Sequence, residues 1–305
     1  TNSPKVAIQL EMRPLMKPNK EQGSSLEEAS AVDSLRLAVY GRMLGMEMAP
    51  KMADLTATGI SYGIGASTEG LAITFGGFAP MLPKLVDTVL AEFNRFNSNA
   101  SITAPSRYGR IVEEMREELT SFTDMPVHYA IEERNLLLTP RRHSNQEALA
   151  ALGKVDLASA ATSAGDLLLA RPLQLTALAM GNLDEDEARR SVNKVWAGLD
   201  RQLSPAAVVA AADGYVERVS PVVNPAQPVE VRKKNPRPGD SNDATVVSFL
   251  FGVGTVQSRV DLGLLGQILQ HVAFTELRTS RQLGYVVSAG ASMMSNVQFL
   301  STVVQ

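Results

Sequence analysis

The sequence predicts an α+β protein built of two-layer domains, in which largely antiparallel sheets carry helices. Three observations carry that prediction. Short runs that alternate apolar and polar residues recur along the chain, as strands half-buried in a sheet do. Longer runs between them place apolar residues at helical spacing. The opening order of strand, helix and hairpin also returns near the end, a weak repeat in pattern rather than in residue identity.

Val6 to Met12 (VAIQLEM) alternates and reads as a strand, which Pro14, Pro18 and Gly23 break. Ser25, with Glu28 in capping-box spacing, is expected to start a helix. Its apolar stripe is Leu26, Ala29, Val32, Leu35, Val39 and Met43, and Gly45 and Pro50 are expected to break it on the way to Met52. Ile60, Tyr62 and Ile64 alternate, Glu69-Gly70 turns the chain, and Leu71, Ile73 and Phe75 alternate back as a hairpin. Residues 81–96 form an amphipathic helix (Leu82, Leu85, Val86, Val89, Leu90, Phe93). Residues 105–122 form another (Ile111, Met115, Leu119, Phe122), and 126–138 and 144–169 read as mostly helical. Leu173, Leu175, Ala177 and Ala179 belong to a strand closed by Gly181-Asn182, and Asp184 caps a last helix through Trp196. The domain boundary is expected near Asp213, giving domains 1–213 and 214–305.

The second cycle starts with two expected strands, Tyr215–Val219 and Val229–Val231. Val246 to Val253 is apolar on both faces and is expected to be a central strand. Residues 261–277 read as a helix (Leu264, Leu265, Ile268, Leu269, Val272), and Gly284–Ala289 is expected to pair with Val297–Val304. The helices and closing strand of the first cycle have no counterpart after it, so the chain reads as a fragment of a longer protein.

Composition narrows the chemistry. The 305 residues are 45% hydrophobic, 20% charged and carry a formal net charge of −3, which offers no basic field for nucleic acid. The absence of cysteine removes disulfides, thiol nucleophiles, iron–sulfur clusters and Cys-based zinc sites. The most apolar run, Val246–Val256, is far shorter than the roughly 20 residues that span a bilayer, and no secretory signal opens the chain. A cytoplasmic or organellar setting is expected. Of the three histidines, His128 shares a helix face with Glu132 but lacks a third ligand, and His143 follows Arg141-Arg142 in a polar turn. His271, inside an apolar helix, reads as a core histidine. Neither HExxH nor HxxEH occurs. The basic run Arg232–Arg237 is broken by proline and reads as a solvated linker or hairpin. Gly252-x-Gly254 has no third glycine at dinucleotide-binding spacing and reads as a strand end with no helix opening there.

The segment Phe274–Tyr285 (FTELRTSRQLGY) stands apart, because it sets Arg278 and Tyr285 on either side of a tight connection from helix to strand. The residues alone leave two readings open. Arg278 is a solvated helix-end cation and Tyr285 an ordinary strand residue, or both point into a cleft and donate hydrogen bonds to a substrate carbonyl or developing oxyanion. The stretch FTELRTSRQLGYVVSAG resembles the hallmark of the C-terminal half of the insulysin/pitrilysin family of inverted-zincin metallopeptidases. It matches at Phe274, Leu277, Arg278, Thr279, Gln282, Leu283, Gly284 and Tyr285, and Gly181-Asn182-Leu183 resembles a family turn more loosely.

That resemblance implies a LuxS/processing-peptidase-like architecture, with four homologous α+β domains in two bowl-shaped halves around a peptide chamber. It implies that residues 1–213 are the third domain and 214–305 the first part of the fourth. Zinc is then a cofactor of the full-length enzyme, held by HxxEH in the N-terminal half that partners this one, and none is bound here. Arg278 and Tyr285 are the implied donors to the scissile carbonyl, with Phe274 beside them in substrate binding. The implied substrates are peptides, with neither nucleic acid nor membrane as partner, and the chain alone is expected to be inactive. The alternative is a non-catalytic structural or binding subunit on the same scaffold.

Overall fold

The structure, a computed structural model, describes residues 4–14, 30–67, 70–99, 103–121, 125–139, 142–170, 173–199, 228–235 and 237–305. The chain divides into two compact units, residues 1–116 with 148–215 and residues 117–147 with 216–305. The helix start expected at Ser25, the boundary near Asp213 and the strand at Tyr215–Val219 lie outside the described residues.

In the first unit the strand β1 (Lys5–Pro14) is followed by the helix α1 (Ala31–Ala57) and the hairpin β2 (Ser61–Ser67) and β3 (Gly70–Phe78). The helix α2 (Leu82–Asn97) comes next, then α3 (Pro105–Ser121), which crosses into the second unit's residues. With β4 (Leu173–Gly181) the strands form one antiparallel sheet in the order β2-β3-β1-β4. Alternation buries Val6, Ile8, Leu10 and Met12 opposite Leu71, Ile73 and Phe75 on one face. Onto that unit pack α1 and α2, with Leu37, Tyr40, Met43, Met48 and Met52 buried from α1 and Leu85, Val89 and Phe93 from α2. Tyr40 meets Phe96 edge to face at 5.4 Å and donates its hydroxyl proton to Asn97 Oδ1 at 2.9 Å. The expected break near Gly45 and Pro50 does not occur. α1 runs unbroken to Ala57, with Met48 and Met52 buried on either side of Pro50. Helices α5 (Asn145–Leu152), α6 (Leu157–Ala164) and α7 (Glu185–Gly198) follow; Asp184 caps α7, its side chain accepting from Glu187 N–H at 2.7 Å.

In the second unit β5 (Thr245–Val253), β6 (Val287–Met294) and β7 (Val297–Val304) form a three-stranded antiparallel sheet in the order β5-β7-β6, and the helix α8 (Val256–Ala273) lies between β5 and β6 in the chain. The helix α4 (Pro126–Leu138) packs on β5 and β7. Its Arg134 lies 5.0 Å over the Phe299 ring and donates to Ser301 Oγ at 3.2 Å. The repeat of pattern seen in the sequence is a repeat of topology: in both units the first strand pairs with the third and the third with the second.

Three expectations are corrected here. Among the described residues β5 is an edge strand rather than the central one, and Val247, Phe249, Phe251 and Val253 are exposed along it. The central position belongs to β7, where Val297, Phe299, Leu300 and Val303 are all buried. Residues Val229–Val231 form no strand. A helix does open after Gly254: α8 starts at Val256, with Thr255 Oγ1 accepting from Ser258 N–H at 3.1 Å.

Candidate functional site

The candidate site grows from the end of α8. That helix continues past Ala273 into a π-helical turn, Phe274–Ser280, in which Arg281 N–H reaches Glu276 O at 2.9 Å. Leu283 N–H closes the turn on Leu277 O at 2.9 Å, and Gln282 between them sits at φ 52°. Glu276 and Arg281 pair at 2.7 Å on its outer side. The chain then enters β6 through Gly284. A Cβ there would lie 2.3 Å from Gln305 O, so only glycine fits at this close approach.

This path brings the three residues named by the motif together. The Arg278 guanidinium lies 4.9 Å from the Phe274 ring centroid and 4.7 Å from that of Tyr285, a cation held between two aromatic faces. Each contact at an exposed site is worth about 0.5–1 kcal/mol. Stacking constrains the plane of the guanidinium, and among the described residues its N–H groups have no protein acceptor. Arg278 is half-buried, whereas Tyr285 is 82% exposed. The arrangement presents one planar cationic fork and one phenol at the same helix–strand junction, donors suited to a carbonyl oxygen.

The other candidates do not converge. His128 is exposed on α4, whereas Glu132 is buried and accepts Asn145 N–H at 2.9 Å, capping α5. Burial holds the Glu132 carboxyl above its ordinary range, against the opposing pull of the Asn145 N–H and of Arg142. His271 is exposed, not core, because the buried positions of α8 are Leu262, Gly266 and Ala273. Among the described residues no three His, Asp or Glu side chains gather into a group that could hold a metal ion. Arg232 and Lys233 are exposed and pair with Glu230 at 2.6 Å and Glu133 at 3.2 Å. No helix among the described residues is long and apolar enough to cross a membrane.

The sequence reading missed Gln270. Its Oε1 accepts the Ala289 N–H of β6 at 2.7 Å, tying α8 to the strand one turn before Phe274. The spacing Gly266, Gln270, Phe274 was the available signal, since residues four apart share a helix face.

The fold is an α+β repeat of antiparallel sheets with packed helices, and the comparisons agree with that class. The family profile for the "middle or third domain of peptidase M16" matches residues 23–151, and that for the "PQQ synthase PqqF-like, C-terminal lobe domain 4" matches residues 264–305. Insulin-degrading enzyme-like 1, peroxisomal, of Arabidopsis thaliana is 22% identical over 248 residues, which are 81% of this chain and 25% of that protein. The crystal structure of pitrilysin superposes with a TM-score of 0.71 at 20% identity, covering 99% of this chain and 29% of that one. The peptidase M16 inactive domain from Pseudomonas fluorescens gives a TM-score of 0.62 at 15% identity, covering all of this chain and 70% of that one. Together these matches support a member of the pitrilysin/insulysin (M16) peptidase family. It spans about a quarter of the length of the curated relatives it matches.

Proposed function

We propose that this chain is part of the half of a zinc metalloendopeptidase that lacks the metal motif, closes a peptide chamber, and supplies Arg278 and Tyr285 to the substrate. The observation that carries this reading is the stack of Arg278 on Phe274 and Tyr285. Residues 1–213 are then a third domain and 214–305 the first part of a fourth, and the positions of the two profile matches support that order. The zinc site would lie in another part of the protein, where the metal polarises the scissile carbonyl and activates water. Arg278 and Tyr285 orient the peptide and hold its carbonyl oxygen, and Phe274 keeps the guanidinium in plane.

The test uses the full-length enzyme. Arg278→Ala should lower kcat/KM about 100-fold, the scale of losing one fixed oxyanion donor, and Tyr285→Phe should lower it measurably with the fold intact. Normal kcat/KM in both variants refutes the role. The 305-residue chain alone should not hydrolyse peptides, and zinc-dependent turnover by it would contradict the assignment. A non-catalytic subunit on the same scaffold predicts instead that the full-length protein hydrolyses no peptide with zinc present.

A further inference from the structure

Among the described residues the outer edge of β6 pairs with no strand, and the internal repeat shows where a further strand would be expected instead. In the first unit the fourth strand β4 joins on the β1 side, leaving β2 outermost. In the second unit β5 holds the position of β1 and β6 that of β2. A strand that completes this sheet as β4 completes the first therefore falls on β5, not on β6.

Hydrogen bonds fix which groups β6 turns outward. Val286 and Gln305 exchange both backbone bonds, at 2.9 and 2.8 Å. Alternation along an antiparallel pair then directs the N–H and C=O of Val287, Ala289, Ala291 and Met293 away from β7. Ala289 shows this directly, since its N–H goes to a side-chain carboxamide, Gln270 Oε1, instead of a strand carbonyl. The strand Val287–Met294 (VSAGASMM) carries no charge and no proline, the usual guards of an edge.

The edge also has a wall. Gly266 of α8 approaches so closely that a Cβ on it would lie 2.6 Å from Ala291 N. Gln270, one turn on, reaches Ala289, and Phe274, a further turn on, stacks on Arg278 and so on Tyr285. Helix and strand edge therefore run side by side and end at the donor pair.

We infer that the outer edge of β6 takes an extended peptide as an added strand, with Gln270 filling the position of that strand until the peptide displaces it. The inference rests on the proposed role of Arg278 and Tyr285, and extends it: a peptide gripped at the stack continues along β6. What faces outward is backbone at two-residue spacing, and the side chains of the strand are uncharged: Val, Ser, Ala, Gly and Met. The class of ligand recognised is therefore extended main chain, with little regard to side-chain identity.

The test is a backbone N-methyl scan in a fluorogenic peptide long enough to lie along all of β6, cleaved by the full-length protein. Methylation at every second position of one arm should raise KM about fivefold, the worth of one hydrogen bond, with the intervening positions silent. Ala289→Pro, which deletes the outward N–H, should raise KM for the unmethylated peptide and flatten that alternation. A scan without alternation in the wild type, or one that persists unchanged in a folded Ala289→Pro variant, overturns the inference. A concentration-dependent dimer broken by Ala289→Pro, with a flat scan, overturns it in favour of a second copy at the edge. Should Ala289→Pro not fold, Gln270→Ala serves: alternation with larger penalties than in the wild type supports the inference and unchanged penalties overturn it. Loss of activity in Arg278→Ala with a flat scan sinks this inference alone, whereas normal activity in Arg278→Ala sinks the reading beneath it.

Discussion

Gly284 lies inside the motif for a reason of packing, and the substitution Gly284→Ala isolates it. The new Cβ would stand 2.3 Å from Gln305 O and 2.6 Å from its carbonyl carbon, where ordinary contact begins at 3.4 Å. The strand entry and Gln305 must part by about 1 Å to admit it. That movement strains the reciprocal bonds between Val286 and Gln305, at 2.9 and 2.8 Å. Two bonds at about 1 kcal/mol each, with about 1–3 kcal/mol for forcing a carbon into a filled site, bound the local cost at about 3–5 kcal/mol. The measurement is amide hydrogen exchange at Val286 and Gln305, where even 2 kcal/mol speeds opening about 30-fold. Tyr285, between Gly284 and Val286 in the chain, should lose its stack on Arg278 at the same time. Unchanged exchange at both amides in a folded Gly284→Ala protein refutes the packing argument.

Glu132 gives a pH test. Its folded-state carboxyl is shifted up by burial, so the fold favours the protonated form. The resulting penalty is absent below the unfolded value and complete above the folded one. Glu132→Gln keeps an acceptor for Asn145 N–H and removes the charge; the variant should therefore gain stability at neutral pH relative to wild type and lose that advantage as pH falls below about 4.5, as followed by thermal melts. Equal differences at both ends of that range contradict the shift. Tyr40→Phe in α1 removes the buried hydroxyl that donates to Asn97 and should cost about 1–2 kcal/mol in denaturant melts, with no cost if that bond is idle.

Local chemistry was legible in the sequence. Alternation located β1, β2, β3 and β4, helical spacing located α2 and α3, and Asp184 marked the start of α7 as a cap does. Position within a sheet was not legible. The run Val246–Val253 is apolar on both faces, and periodicity alone does not distinguish a strand buried by neighbours from an edge strand. Pro50 misled because burial on both sides of it outweighs one lost backbone bond. The motif named Phe274, Arg278 and Tyr285, but not that they form one stack. That depends on the π-helical turn, which has no sequence signature of its own.

The exposed stripe of α8 joins these threads. Val256, Val260, Leu264, Ile268 and Val272 recur every four residues, the ridge by which one helix packs on another, yet all are exposed, Val256 by 80%. Beside them on the second unit's sheet Val247 and Phe249 are also uncovered. The first unit, of the same topology, shows how such a ridge is buried: α1 is covered by α2 and α6, helices that follow its hairpin in the chain. An apolar ridge of this length on a soluble surface marks a contact to be made. Its place after β5 and before the β6–β7 hairpin supports the proposed fourth domain, in which helices beyond the hairpin would lie on α8. On the pattern of the first unit, where β4 pairs with β1, an added strand would join the second sheet at β5, on the side away from β6.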